Sequence, residues 1–284
     1  MSRSIPFEVQ LKEFDQIFSL SGKVAVITGS SRGLGLSAAS GLLQAGCAKV
    51  YVTARNVQAC EDAVEALNAL PQKRADAVAI SVPTDLSSTA GLDHLVTQVS
   101  QTTDYIDIIV SNAGTAYFAP FEAHLDSEFS TVVDLNLKSA FYLIQKFTPM
   151  LQKNATQEDP SRIIINASIW GLSADNVAET GVYSYAASKA AVIHLSKALA
   201  VELGPRWILC NTIAPGWFPT DMTTAIIEAR GGKDQFERAT PNRRLGRPED
   251  MAGIVVFLAS RAASHINGAL IRADGGGMFV NGAL

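Results

Sequence analysis

Lys23-Val-Ala-Val-Ile-Thr-Gly-Ser-Ser-Arg-Gly-Leu-Gly35 is the stretch that decides the fold. Its first half, Lys23–Thr28, is a short apolar run rich in β-branched residues and reads as a buried strand. Gly29, Gly33 and Gly35 follow at once in a TGxxxGxG pattern, and Leu34–Ala45 carries helical spacing that stops at Gly46. A strand that turns through glycines into a helix permits close approach of backbone to a pyrophosphate. It also aims the first helical amides at that anion. Ser31, Arg32 and Leu34 fill the same turn and join the three glycines as candidate cofactor-binding residues.

Outward from this turn the chain keeps alternating. Strands are expected at Lys49–Ala54, Ala77–Val82, Ile106–Val110, Arg162–Ala167, Ile208–Ile213 and Ala269–Ala273. Helices are expected at Val57–Leu70, Leu92–Gln101, about Ser127–Leu151, about Tyr183–Leu203 and Pro248–Ser260. Strands separated by helices of this length imply a parallel sheet covered on both faces. The expectation is an α/β chain with one doubly wound parallel sheet of about seven strands. Residues 1–20 form an N-terminal extension, residues 21–284 the domain, and about 216–246 a lid over the site.

Composition narrows the function classes. The 284 residues include 48% hydrophobic ones and carry a formal net charge of −4, which argues against nucleic acid or an anionic membrane as the main partner. The three cysteines, Cys47, Cys60 and Cys210, are scattered and read as reduced thiols. The four histidines, His94, His124, His194 and His265, have no metal-ligand spacing, so no metal site is expected. The N-terminus lacks an unbroken apolar core for a signal peptide, and no uncharged run reaches the ~18 residues of a membrane span. A cytoplasmic protein is the expectation.

The end of the second strand speaks to the choice of cofactor. A site for the non-phosphorylated dinucleotide usually places an acid there to hold the ribose hydroxyls. This chain has Ala54-Arg55 instead and no acid until Glu61. Arg55, with Arg32 from the glycine turn, would suit a 2′-phosphate through charge-assisted bonds. NADPH is the expected cofactor.

Tyr185-Ala-Ala-Ser-Lys189 puts a phenol and an ammonium on one helix face. Alone the pair says little. Ser111-Asn-Ala-Gly114 follows the fourth strand, Asn136 lies in the next helix, Ser168 follows the fifth strand, and Pro215-Gly216 follows the sixth. With the glycine turn in front, this order resembles the classical short-chain dehydrogenase/reductase family, with its Rossmann-type fold, from about Ser21 to Gly277.

The resemblance implies roles at matching positions. Tyr185 would protonate a carbonyl oxygen, and Ser168 would hydrogen-bond it. Lys189 would lower the tyrosine pKa and hold the nicotinamide ribose, and Asn136 would hold a water leading to Lys189. Asn112, Ala113 and Gly114 would line the adenosine ribose, with Asp85 and Leu86 at the adenine end. Pro215, Gly216 and Thr220 would meet the nicotinamide end. Relatives usually form homotetramers through the two long helices and the last strand.

Charge arithmetic agrees with the lysine's role. Bringing a phenol from ~10 to about 7 takes roughly 4 kcal/mol. An ammonium at about 5 Å supplies on the order of 3 kcal/mol at an effective dielectric near 20, and the positive nicotinamide of the oxidised cofactor would supply the rest.

One departure from the family pattern is a Ser168–Tyr185 spacing of seventeen residues, where many members have about thirteen. The longer connection holds Trp170, Asp175, Asn176 and Glu179 and would border the substrate. Trp170, Tyr117, Phe118 and the apolar stretch Trp217–Phe236 favour a hydrophobic substrate. The segment Arg244–Asp250 resembles the 3-oxoacyl- and small-ketone-reductase branch, so reduction of a ketone to a secondary alcohol is expected. The rivals are a ketose or polyol reductase and a catalytically silent NADPH-binding regulator. Arg243, Arg244 and Arg247 read as a solvated loop or as an attractor for an acidic carrier.

Overall fold

A computed structural model describes residues 11, 13–174, 177 and 181–280. Seven strands, β1 (Val24–Thr28), β2 (Lys49–Thr53), β3 (Val78–Ser81), β4 (Ile108–Ser111), β5 (Ser161–Asn166), β6 (Ile208–Pro215) and β7 (Leu270–Ala273), form one sheet. Every pairing is parallel, in the order β3-β2-β1-β4-β5-β6-β7. β1, β5 and β6 are buried along their whole length on both faces, which is why they read as largely apolar runs rather than alternating ones.

Side-chain alternation along each strand divides the core in two. On one face Ala25, Ile27, Val50 and Val52 meet α1 (Gly33–Gln44), α2 (Val57–Asn68) and α9 (Pro248–Ala259). On the other, Val24, Val26, Ile163 and Ile165 meet α3 (Thr89–Ser100), α5 (Ser139–Gln152) and α6 (Tyr183–Leu203). The expected Ser127–Leu151 helix is α4 (Asp126–Val133) running into α5 through a π-helical turn, Asp134–Lys138. Within the lid stand two short helices that the sequence reading left out, α7 (Thr224–Ala229) and α8 (Gly232–Ala239).

The N-terminal edge of the sheet is held by ions. Asp107, just before β4, accepts the Val24 backbone N–H at 2.8 Å, and Lys23 bridges Asp107 at 3.1 Å and Asp159 at 2.5 Å. Beside them Arg162 of β5 is only 2% exposed, and burial lowers its pKa to about 10. Its guanidinium donates to the Pro160 and Ser260 carbonyls and to the Ser264 hydroxyl. Burial opposes the Lys23 charge, but the two carboxylates outweigh it and raise the pKa.

Of the N-terminal extension, residues 1–10 and 12 lie outside the described set. The rest makes a short 3-10 turn, Phe14–Gln16, and docks weakly. Ala262 N–H donates to the Ile17 carbonyl at 3.1 Å, and Glu13 pairs with Arg261 at 2.5 Å, while Phe14 and Phe18 stay exposed. All three cysteines are buried and free. Among the described residues no helix is long and apolar enough to cross a membrane, and no side-chain group is arranged to hold a metal.

Candidate active site

The strand order reverses between β1 and β4, and at that point the C-terminal strand ends leave a crevice. A cleft of about 700 Å3 runs from the glycine turn to the lid. The turn is stitched to β4: the Thr28 hydroxyl accepts the backbone N–H groups of Asn112 at 2.9 Å and Ala113 at 3.0 Å. The Asn112 side-chain amide donates back to the Thr28 and Gly29 carbonyls, each at 3.0 Å. Gly29 has φ +63°, and a Cβ there would lie 2.8 Å from the Ala113 Cα, so only glycine fits.

Ser31, Arg32, Gly33, Leu34, Arg55, Leu86, Asn112, Ala113, Gly114, Pro215, Gly216 and Thr220 all line this cleft. Two candidates do not. Gly35 packs behind the turn, where an added Cβ would sit 2.3 Å from the Gly29 carbonyl oxygen. Its part is to bring helix and turn together, not to touch a ligand. Asp85 is exposed, and its carboxylate accepts the Ser87 N–H at 3.1 Å, while Thr84 and Leu86 on either side face the cleft. The turn that its carboxylate closes onto the Ser87 N–H directs it away from the cleft.

At the other end, Ser168, Tyr185 and Lys189 meet on the cleft wall. The Tyr185 phenol faces the Ser168 hydroxyl, which accepts the Trp170 backbone N–H at 3.2 Å. Lys189, one turn along α6, donates to the Asn166 carbonyl at 2.7 Å, and its nitrogen lies 5.5 Å from the Tyr185 ring centre. Asn136, in the π-helical turn, is buried. It accepts the Thr115 N–H at 2.9 Å and donates to the Thr115 carbonyl at 2.9 Å and the Ser188 hydroxyl at 3.0 Å. Tyr183, two residues before Tyr185 but with Ala187 four residues on, stacks edge-on against Phe121 and His124.

The sequence reading passed over Asn166. Its amide donates to the Asn112 side-chain oxygen at 2.8 Å while its backbone holds Lys189. A polar chain thus joins the lysine to the glycine turn. The signal was present, an amide side chain closing a buried strand two residues before Ser168, but amides at strand ends are too common to stand out. Trp217 was noted only as part of the lid. It lines the cleft and touches Trp170 edge-on at 5.4 Å.

The sequence model described as Enoyl-(Acyl carrier protein) reductase matches residues 29–277. The chain is 40% identical over 259 residues to a Pseudomonas aeruginosa protein described as a rhamnolipids biosynthesis 3-oxoacyl-(acyl-carrier-protein) reductase, covering 91% of this chain and 97% of that one. It belongs to the short-chain dehydrogenase/reductase family. An Escherichia coli 5-keto-D-gluconate 5-reductase is 32% identical over 262 residues, covering 92% of this chain and 98% of the relative. The solved RhlG/NADP active-site complex from Pseudomonas aeruginosa superposes with a TM-score of 0.85 at 38% identity, covering 92% of this chain and 98% of that one. The chain is therefore an oxidoreductase of that family.

Within the short-chain dehydrogenase/reductase site, burial acts on both ionisable groups. It pushes the Tyr185 phenol up, and the neighbouring Ser168 hydroxyl opposes this only in part. Burial also holds Lys189 down to about 8. Both ions would lose their water on a wall where Trp170 and Val182 pack, and the ammonium sits over the phenol ring.

Other expectations also shift. Tyr117 leaves the substrate wall to meet His124 at 5.0 Å, whereas Phe118 and Trp170 line the cleft. Arg244 is not a solvated cation: it makes a two-pronged pair with Asp250, at 2.5 and 2.8 Å. Asp175, Asn176 and Glu179 of the longer connection lie outside the described residues.

A dinucleotide suits the residues present. The cradle tolerates no side chain at Gly29, α1 begins against the cleft, and Arg55 stands at the β2 end. The Asn166 side-chain oxygen is buried in the cleft wall with no protein partner among the described residues.

Proposed function

We propose that this protein reduces a ketone to a secondary alcohol with NADPH, and that Tyr185, Ser168, Lys189 and Asn136 carry the chemistry. The observation that carries the reading is the meeting of Ser168, Tyr185 and Lys189 on one cleft wall, with the lysine nitrogen 5.5 Å from the tyrosine ring centre. When bound, the cofactor supplies a hydride to the carbonyl carbon. The glycine turn and Asn112–Gly114 would hold its diphosphate and ribose, with Arg55 and Arg32 at the 2′-phosphate. Arg32 pairs with Asp221 of the lid at 2.9 Å, so a phosphate there competes with that carboxylate.

The chain's own part is proton placement. Two hydroxyls side by side present two donors to one oxygen. Ser168 holds the carbonyl oxygen, and Tyr185 releases its proton to it as the C–H bond forms. The phenolate left behind faces Lys189, whose ammonium stabilises it and, through the Asn136 and Ser188 neighbourhood, lets it recover a proton. Such donors serve a carbonyl better than a carbon–carbon double bond, where the proton must reach carbon.

The lid stretch and the exposed side chains on the long helices complete the picture. Phe129 of α4, Tyr142 of α5 and Val201 of α6 are exposed, and Val201 is 79% so. A homotetramer built on these helices would cover them, and a cytoplasmic setting accords with three free thiols.

The test is oxidation of NADPH and of NADH by the purified protein with ethyl acetoacetate, a 3-oxoacyl thioester and a ketohexose. NADPH-dependent turnover of a keto ester or thioester is expected, with Tyr185→Phe slower by about 100-fold or more. Intact turnover in that variant would remove the proposed acid. Tight NADPH binding with no turnover of any ketone would favour the silent regulator.

A further inference from the structure

Beyond Tyr185 the cleft is built from rings. Trp170 sits at their centre, edge-on to Tyr185 at 5.9 Å, to Trp217 at 5.4 Å and to Phe118 at 6.4 Å. Trp217 is backed in turn by the buried Phe236 at 4.7 Å, and Met222 and Ile226 of the lid extend the same wall. Trp170 is also fixed in place, because its backbone N–H donates to the Ser168 hydroxyl at 3.2 Å. The ring that borders the substrate is therefore tied to the group that binds the carbonyl.

Charge is distributed the other way. The charged side chains lining the cleft are Arg32, Arg55, Lys189 and Asp221. Arg32 is paired with Asp221, Arg55 stands at the glycine-turn end, and Lys189 is pinned to the Asn166 carbonyl behind the phenol. The long connection Leu172–Val182 contains no Lys, Arg or His and carries two acids, Asp175 and Glu179. Among the described residues lining the cleft, no further cation faces a substrate carboxylate. A polyhydroxylated chain pressed on these rings would give up water without gaining partners.

Resting on the ketone-reductase reading, we infer that the substrate is a neutral ketone carrying a flat ring beside its carbonyl, and that Trp170 and Trp217 select it. Two indoles meeting at 83° form a corner whose faces accept a third ring by stacking or edge contact. A flat ring gives up little rotational freedom there, whereas a flexible acyl chain gives up more. Sugar acids, which the gluconate relatives' names point to, would meet no spare counter-ion among the described lining residues and are expected to be poor substrates.

The experiment is steady-state reduction with NADPH of ethyl benzoylacetate, ethyl acetoacetate and 5-keto-D-gluconate, by the wild type and by Trp170→Ala, Trp170→Phe and Trp217→Ala. Expected is a kcat/KM for the aryl keto ester at least 100-fold above that for 5-keto-D-gluconate and about 10-fold above that for ethyl acetoacetate. Each alanine variant should lose most of the aryl-over-acetoacetate preference through KM, and Trp170→Phe should keep most of it. Turnover of 5-keto-D-gluconate equal to that of the aryl ester overturns this inference alone. So does an unchanged aryl-to-acetoacetate ratio in both alanine variants. Failure to reduce any of the three removes the parent reading and this inference with it.

Discussion

Lys189 is 4% exposed, and its ammonium leans on a carbonyl oxygen rather than a carboxylate. Burial lowers its folded pKa to about 8, against an ordinary value of 10.5. Below pH 8 the group is charged in both states, and the fold carries the full desolvation cost. Between 8 and 10.5 the folded chain releases the proton first, so this group's penalty fades as pH rises; above 10.5 it is gone. At about 1.4 kcal/mol per unit the cost is on the order of 3 kcal/mol, offset on removal by ~1 kcal/mol for the unpaired Asn166 carbonyl. Lys189→Met should therefore be more stable than the wild type at pH 7 by roughly 2 kcal/mol, with the gain vanishing toward pH 10.5. Urea denaturation of both proteins at the two pH values measures it, and a pH-independent difference would contradict the assignment. The same variant should be inactive, so stability and turnover trade at a single side chain.

At the level of elements, α1 and α9 meet closely because Gly41 leaves room for Ala252. A Cβ at position 41 would lie 2.8 Å from the Ala252 Cβ. Gly41→Leu should separate the helices and cost about 1–3 kcal/mol, seen as a melting temperature lower by several degrees. An unchanged melt would mean that the contact is slack. The strands and long helices could be read from the chain because each buries a whole face, which imprints its period on the residues; Tyr183–Leu203 has the same bounds in sequence and structure. The π-helical turn at Asp134–Lys138 has no such imprint, since one extra residue in a turn leaves the apolar pattern almost intact. Helices α7 and α8, six and eight residues long, are too short to stand apart from a loop in the sequence. In the site, the glycine turn and the Ser168, Tyr185 and Lys189 positions were legible because the chemistry restricts the residue types. The directions of Asp85 and Tyr117 were not, because a turn and a distant histidine set them. The tyrosine's raised pKa needed the burial around it, which no spacing reveals.

For the whole molecule, the exposed Phe129, Tyr142 and Val201 predict assembly. Light scattering in dilute buffer should return about four times the 30.2 kDa of one chain, and a mass equal to one chain would exclude the tetramer. The ionic knot of Lys23, Asp107, Asp159 and Arg162 lies at the N-terminal edge of the sheet, while the cleft opens at the C-terminal edge. Every strand between them is a spacer about its own length thick. Changes that retune the aromatic corner or the lid consequently leave the anchorage at the far rim untouched. A lineage built on this plan is free to explore new ketones at one rim while inheriting its cohesion from the other.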